Sequence, residues 1–376
     1  MEQDTKHRPW ALLPAGAALL LGLALTLLLA RDGVQAASGA VVLQLPRTPA
    51  AAAPAALETG RKVVPLGRAV GIKLFSNGVL GVGPSDLETS ASTVSPGRSC
   101  GLKTGDIITH INAQEVDTIE QVQAIVTQDG GQPLILQVDR GGRSLQLSAQ
   151  AVQNNQGVYQ LGVWLRDSMA GIGTMTYYDP DSRTFAALGH GVNDVDTSLL
   201  MPLETGSIMY ASVSDVKRGT AGEPGELHGN FDVYRDLGIL YANTQTGIYG
   251  VLSGSDFDTG SPAVEIASRD QVKVGPASIL SNIDGEAVEE YAVEITHVYP
   301  AAAGETRNLM VQVTDPELLE KTGGIVQGMS GSPILQDGRL VGAVTHVLIN
   351  DPTRGYGILA ENMAAQTGRE KQAAVS

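Results

Sequence analysis

Ser330 lies in Gly328-Met329-Ser330-Gly331-Ser332-Pro333. A serine hydroxyl attacks a carbonyl only when a base takes its proton and amide donors hold the oxyanion that forms. Glycines around the serine let the backbone turn until several amides point at one place. The base must be a histidine. His190 sits in Ala187-Leu188-Gly189-His190-Gly191, after an apolar strand, and its flanking glycines leave the ring uncrowded. His228, in Leu227-His228-Gly229, is the second candidate, and His297, within a strand, is the third. A carboxylate should orient the imidazole. Asp315, in Val313-Thr314-Asp315-Pro316, and Asp194 and Asp196 beside His190 are the candidates. Asp315 fits equally well as the cap of a helical turn over 316–320, so the residues alone do not choose. Gly97-Arg98-Ser99-Cys100-Gly101 matches a nucleophile elbow in letters only. An elbow follows a strand and opens a helix, whereas a Pro-Gly turn precedes this one, so neither Ser99 nor Cys100 is expected to be a nucleophile.

A β-rich scaffold must hold these groups. Of the 376 residues, 45 are Gly, 43% are hydrophobic and only 4% are aromatic. That composition excludes wholesale disorder and favours many turns and short strands. From 156 to 363, short apolar or alternating runs recur between turn signals, as at 158–165, 171–178, 185–188, 207–213 and 288–298. Asp337-Gly338 marks a hairpin between Ile334-Leu335 and the strand 340–348. This reads as one or two β-barrels. From 62 to 155 the pattern differs. A strand over 70–75, a second past Asn77-Gly78, a helix over 118–127 with Thr118 or Asp117 as cap, and strands over 133–138 and 144–152 are expected.

The net charge of −15 argues against nucleic-acid binding, which needs clustered Lys and Arg. One cysteine, Cys100, excludes an intrachain disulfide and a multi-cysteine zinc site. No two of the six histidines fall within four residues of each other, so no short metal-ligand pair is visible, and no metal or organic cofactor is expected. Residues 11–30 carry no charge and would span about 30 Å as a helix. Lys6, His7 and Arg8 precede them and favour a cytoplasmic N-terminus. The segment reads as an uncleaved anchor, with a signal peptide cut after Val34-Gln35-Ala36 as the other reading. The Ala/Pro-rich stretch 36–61 reads as a spacer open to proteolysis.

Gly101-Leu102-Lys103-Thr104-Gly105-Asp106-Ile107-Ile108-Thr109-His110-Ile111-Asn112 and its flanking elements resemble a PDZ domain. The resemblance implies a peptide groove between the strand at Gly71, Ile72 and Leu74 and the helix at Val122, filled by strand addition. The Ser330 segment resembles the G-x-S-G-G-P signature of chymotrypsin-like proteases, with Ser332 in place of a glycine. That resemblance implies an oxyanion hole from the Gly328 and Ser330 amides and substrate contacts from Met329, Thr345 and His346.

The stretch 313–333, with Gly342-Ala343-Val344-Thr345-His346-Val347 and Asn350-Asp351-Pro352-Thr353, resembles the SpoIVB peptidase family. This resemblance implies a His190, Asp315, Ser330 triad. It also implies a forespore protein whose catalytic part lies in the intermembrane space. There it would cleave a regulatory membrane protein, which releases an intramembrane protease that activates a late sigma factor, and it would cut itself near the N-terminus. The expected organisation is mainly β: a cytoplasmic N-terminus and single transmembrane helix over 1–35, a linker over 36–61, a PDZ-like domain over 62–155, a chymotrypsin-like β-barrel peptidase domain over 156–363 and a polar tail over 364–376. Two readings compete with a signalling protease. One is a non-catalytic PDZ scaffold, and the other is an HtrA-type quality-control protease, a class that usually places PDZ domains after the protease.

Overall fold

The computed structural model describes residues 60–253, 261–300 and 306–366. The uncharged run 11–30, the spacer up to residue 59 and most of the C-terminal tail lie outside them. The main strands are β1 (Lys62–Pro84), β2 (Ile107–Ile111), β3 (Pro133–Asp139), β4 (Ser144–Gln150), β5 (Val163–Asp179), β6 (Thr184–Ala187), β7 (Thr205–Lys217) and β8 (Glu226–Thr244). They continue with β9 (Gly247–Leu252), β10 (Gly275–Asp284), β11 (Ala287–Val298), β12 (Leu309–Val313), β13 (Pro333–Gln336), β14 (Arg339–Leu348) and β15 (Asp351–Leu359). The helices are α1 (Pro96–Ser99), α2 (Ile119–Asp129) and α3 (Pro316–Thr322).

Antiparallel pairings close two barrels. In the first, β1 pairs β5, β5 pairs β6, β6 pairs β9, β9 pairs β8, β8 pairs β7, and β7 returns to β1. The second is closed in the order β10, β11, β12, β15, β14, β13. Closure leaves no strand edge exposed. Each barrel has its own core, built on Val70, Met175, Phe185 and Leu240 in the first and on Ile279, Val311, Met329 and Val344 in the second. A further cluster joins the two, with Tyr177, Ala186 and Tyr249 from the first barrel against Leu340, Ala343 and Ile358 from the second. Ala364 is buried in that cluster on a helical turn that runs on past 363, so the polar tail starts later than expected.

The domain order is the main correction. Residues 62–75 do not belong to the PDZ-like unit. Val70 and Ile72 fill the first barrel core, Leu74 packs with Leu80 and Met201 beneath it, and β1 pairs β5 and β7 along this stretch. The turn expected at Asn77-Gly78 is no chain reversal: β1 runs through it to Pro84 with an irregular register. Beyond it β1 leaves the barrel, pairs β2 through Val79 and Leu80, and founds a second sheet of β1, β2, β3 and β4. The chain returns along β5, which pairs β1 from Val163 to Tyr178. The small unit is therefore inserted between the first two strands of the first barrel.

Its helix forms as its sequence dictates. Thr118 accepts from Gln121 N, and the Gln121 side chain reaches back to the Thr118 amide. This capping box satisfies two otherwise orphaned donors. Gly130, in the left-handed region, ends the helix. Val122 and Val126 face the core of this unit.

Candidate active site

The Ser330 turn comes from the second barrel, ahead of β13, and docks on the first. Gly331 has φ +100°, and a Cβ there would stand 2.0 Å from Thr174 O and 2.6 Å from Leu188 N. Only glycine permits this approach. The turn is tied across the seam by Thr174 N to Ser330 O (3.0 Å) and by Thr174 Oγ1 to Gly328 O (2.7 Å). His190 follows β6 of the first barrel. Gly189, at φ +68°, brings this segment so close to the second barrel that a Cβ would lie 2.9 Å from Thr345 Cγ2.

The two groups meet around Thr345 and His346 on β14. Ser330 Oγ donates to Thr345 O at 2.7 Å. The His346 ring stands 5.0 Å from that of His190, tilted by 39°. His190 and Ser330 share no hydrogen bond in this arrangement. The imidazole instead uses Nδ1 on Gly191 O at 2.8 Å. A carbonyl can only accept, so Nδ1 carries the proton and Nε2 keeps its lone pair. Burial pushes the His190 pKa below its ordinary value. His346 is pulled down to about 4, mainly by desolvation and then by the nearby His190 and Arg307. Both rings are neutral at pH 7.

The amides of Met329, Gly331 and Ser332 are bonded to Val326 O, Val344 O and Met329 O. Among the described residues, those of Gly328 and Ser330 have no protein acceptor. They are the pair expected for an oxyanion, and Gly328 reaches its orientation at φ +97°. Ser332, the departure from the protease signature, is buried, and its hydroxyl finds Ser281 Oγ at 3.3 Å.

Other expected residues lie elsewhere. Asp315 is the N-cap of α3: its Oδ1 accepts from Glu317 N and Leu318 N, and its Oδ2 from Ala292 N. Both oxygens face main-chain amides, and no carboxylate bonds to His190 among the described residues. Asp194, fully buried, lies 2.8 Å from Arg166, which also holds Asp196 at 2.6 Å. Met329 has no exposure and is part of the second barrel core, so it lines no substrate surface. Thr345 is buried and contributes its carbonyl, and its hydroxyl donates to Tyr356 O. His346 stands beside His190 with part of its side chain open to solvent. His228 is an exposed β8 residue near Asp215 and Glu226, and His297 is an exposed ring against Tyr299. Ser99 Oγ donates to Ser95 O and Cys100 Sγ to Gly97 O, both local bonds to the carbonyls of the preceding turn at the short α1.

The peptide groove also moves. Gly71, Ile72 and Leu74 are first-barrel residues, and Gly71 abuts Phe231. A groove of about 390 Å³ lies instead between Val122 and Val126 of α2 and the segment Leu161, Gly162, Val163 and Leu165 at the start of β5. One edge of this segment pairs the end of β1. Among the described residues the other edge has no strand partner at Val163–Leu165, so it is free for strand addition. Gly162 turns the chain there at φ +64°, where a Cβ would meet Ser85 O at 2.7 Å. The signal was present in Leu161-Gly162-Val163, a glycine between aliphatics opening an alternating strand.

The family profile of the SpoIVB peptidase S55 matches residues 157–364, and that of the PDZ domain matches residues 89–140. No curated protein sequence matches the chain. Among solved structures, the active form of the Rv3671c protease from M. tuberculosis is 15% identical, with 53% of this chain and 74% of that one covered at a TM-score of 0.31. The HtrA-type protease AlgW with decapeptide is 10% identical, with 62% and 55% covered at 0.32. The thermostable serine protease AL20 from an extremophilic microorganism is 14% identical, with 60% and 94% covered at 0.31.

Proposed function

This chain belongs to the SpoIVB peptidase S55 family and is a serine endopeptidase with a PDZ domain, and we propose that it works from a membrane anchor in endospore formation. In this reading Ser330 is the nucleophile and His190 the base. The hydroxyl turns from Thr345 O towards the imidazole, and Nε2 takes its proton as Oγ bonds the scissile carbonyl. The Gly328 and Ser330 amides receive the oxyanion. The protonated imidazole then passes its proton to the leaving amine, and a water repeats the sequence to release the acyl group. The observation that carries this reading is the convergence of the Ser330 turn and the His190 segment on Thr345 and His346.

The family supports a substrate that is a regulatory membrane protein in the intermembrane space. Its cleavage would start intramembrane proteolysis and late sigma-factor activation. The uncharged run 11–30 supports the anchor, and the spacer beyond it supports self-cleavage. The groove between α2 and the start of β5 receives an extended peptide, from the substrate or from this chain's own N-terminal part. A fluorophosphonate probe tests the core of the reading: wild type becomes labelled and Ser330→Ala does not. Absence of labelling under conditions that label a control protease favours a scaffold. Broad cleavage of unfolded casein favours a quality-control protease.

A further inference from the structure

We propose that Arg307, held over the Tyr356 ring beside the active site, makes this peptidase selective for substrates with an acidic side chain close to the cleaved bond. The proposal rests on the assignment of Ser330 and His190 above and adds to it the chemistry of the substrate. It starts from the edge of β14. Up to Ala343 this strand is paired on both sides, with β13 and with β15. From Thr345 onwards, among the described residues, only the β15 side is paired. Thr345 O points out of the open edge and takes Ser330 Oγ at 2.7 Å. An extended peptide along this edge brings a carbonyl to Ser330 and turns alternate side chains to the face that carries His346.

That face is a row of rings. The His346 ring stands 5.0 Å from that of His190. Tyr356 is the direct partner of His346 across the β14–β15 ladder, and opposed residues place their Cβ atoms about 4.5–5.5 Å apart on one face. Tyr299 follows, its ring centroid 6.5 Å from that of Tyr356. Arg307 lies on this row, with its guanidinium carbon 5.1 Å from the Tyr356 centroid. A guanidinium on a ring face keeps its in-plane N–H groups available, and these match a carboxylate two at a time.

The main chain beside Arg307 is fixed. The amide of the buried Asn308 donates to Gly357 O at 2.9 Å, its carbonyl accepts from Tyr299 N at 2.8 Å, and its Oδ1 accepts from Leu359 N at 3.0 Å. Arg307 is therefore delivered to the ring from an anchored residue. Among the described residues no carboxylate pairs with its guanidinium. Its charge reaches the site, since it is one cause of the lowered His346 pKa, after burial and His190. The chain as a whole carries −15 and repels an acidic peptide, so a preference for acid must come from a local group.

The test gives the full chain a pool of synthetic peptides in matched forms, with Glu, Gln or Lys at one position near the cut, and reads the products by mass spectrometry. The readout is the ratio of kcat/KM for the Glu form to that for the Gln form, which does not depend on how much of the enzyme is folded. For wild type the ratio is expected to reach about tenfold at one position, the worth of one charge-assisted hydrogen bond at a partly open site. Arg307→Ala brings it to unity or below. Arg307→Lys keeps the charge without the planar fork and retains part of it. Arg307→Glu inverts the preference, so that the Lys form is cut faster than the Glu form. A wild-type ratio near unity at every position overturns the proposal, and so does a ratio of wild-type size in Arg307→Ala. Wild type that cuts no peptide and takes no fluorophosphonate refutes the peptidase assignment itself, a result distinct from both.

Discussion

His190 meets the requirement for a base through burial. Desolvation disfavours the charged ring, and its hydrogen bond to Gly191 O opposes this only in part. The neutral ring is the active form, so a lowered pKa moves the acid limb of kcat/KM to lower pH. The midpoint of that limb is expected below 6.5, the ordinary histidine value, and a pH–rate profile falling off at or above that value contradicts the burial. His346 carries the same sign into stability. Its pKa falls from 6.5 to about 4 on folding, so the unfolded chain binds more protons between those values. That contribution is complete above 6.5 and is lost as the pH falls through the window. At Ser330 itself the constraint is steric. Gly331→Ala would place a methyl 2.0 Å from Thr174 O at a φ of +100°. The serine turn must then leave the first barrel, and the expected result is loss of fluorophosphonate labelling from a chain that still shows β circular dichroism.

At the scale of elements, what was legible in the sequence is what local chemistry fixes. The α2 cap is one example: Thr118 and Gln121 lie three residues apart and need no other partner. Thr118→Ala should cost about 1 kcal/mol, seen as a lower urea midpoint at unchanged slope. A shift of the slope instead would mean that the small unit unfolds separately. The hairpin at Asp337-Gly338 and the glycine-bounded His190 and Ser330 segments were readable for the same reason, since turn chemistry is written in adjacent residues. Partners distant in sequence were not. The strand at Ile72 has the alternation of any half-buried strand, and nothing in it says that its neighbours are β5 and β7. The groove belongs instead at Leu161-Gly162-Val163, within the apolar run 158–165. Asp315 was ambiguous because a cap and a triad acid look alike in one dimension. In the structure three main-chain amides surround its carboxylate and make it a cap. Arg307 gave no signal, because the ring it lies over, that of Tyr356, is distant in sequence.

For the whole molecule, insertion makes the small unit and the first barrel share two continuous strands, β1 and β5. Their junction is closed by Leu74, Leu80 and Met201, with Ile107, Met169, Val192 and Leu203 packed around them. Arg166, on β5 just past the groove, reaches the buried Asp194 and the exposed Asp196 in the segment that follows His190. Asp194 has no side-chain exposure, and removal of the cation paired with a buried carboxylate typically costs about 3–5 kcal/mol. Cutting the chain where the sequence suggested, at residue 156, would remove β1 and leave β5 and β7 each with one edge unpaired. Exposed strand edges of this kind aggregate. Excision along the true boundary is a different operation. Phe75 and Ser168 are opposed in the ladder, as are Leu74 and Met169. Linking Phe75 to Ser168 through a two-residue Asn-Gly turn therefore preserves the register while deleting the inserted unit. The excised protein is expected to be soluble and to unfold in one cooperative step, whereas the chain that starts at 156 should precipitate on refolding. A soluble, cooperatively folded truncation with an unfolded excision variant would show that β1 belongs to the small unit after all.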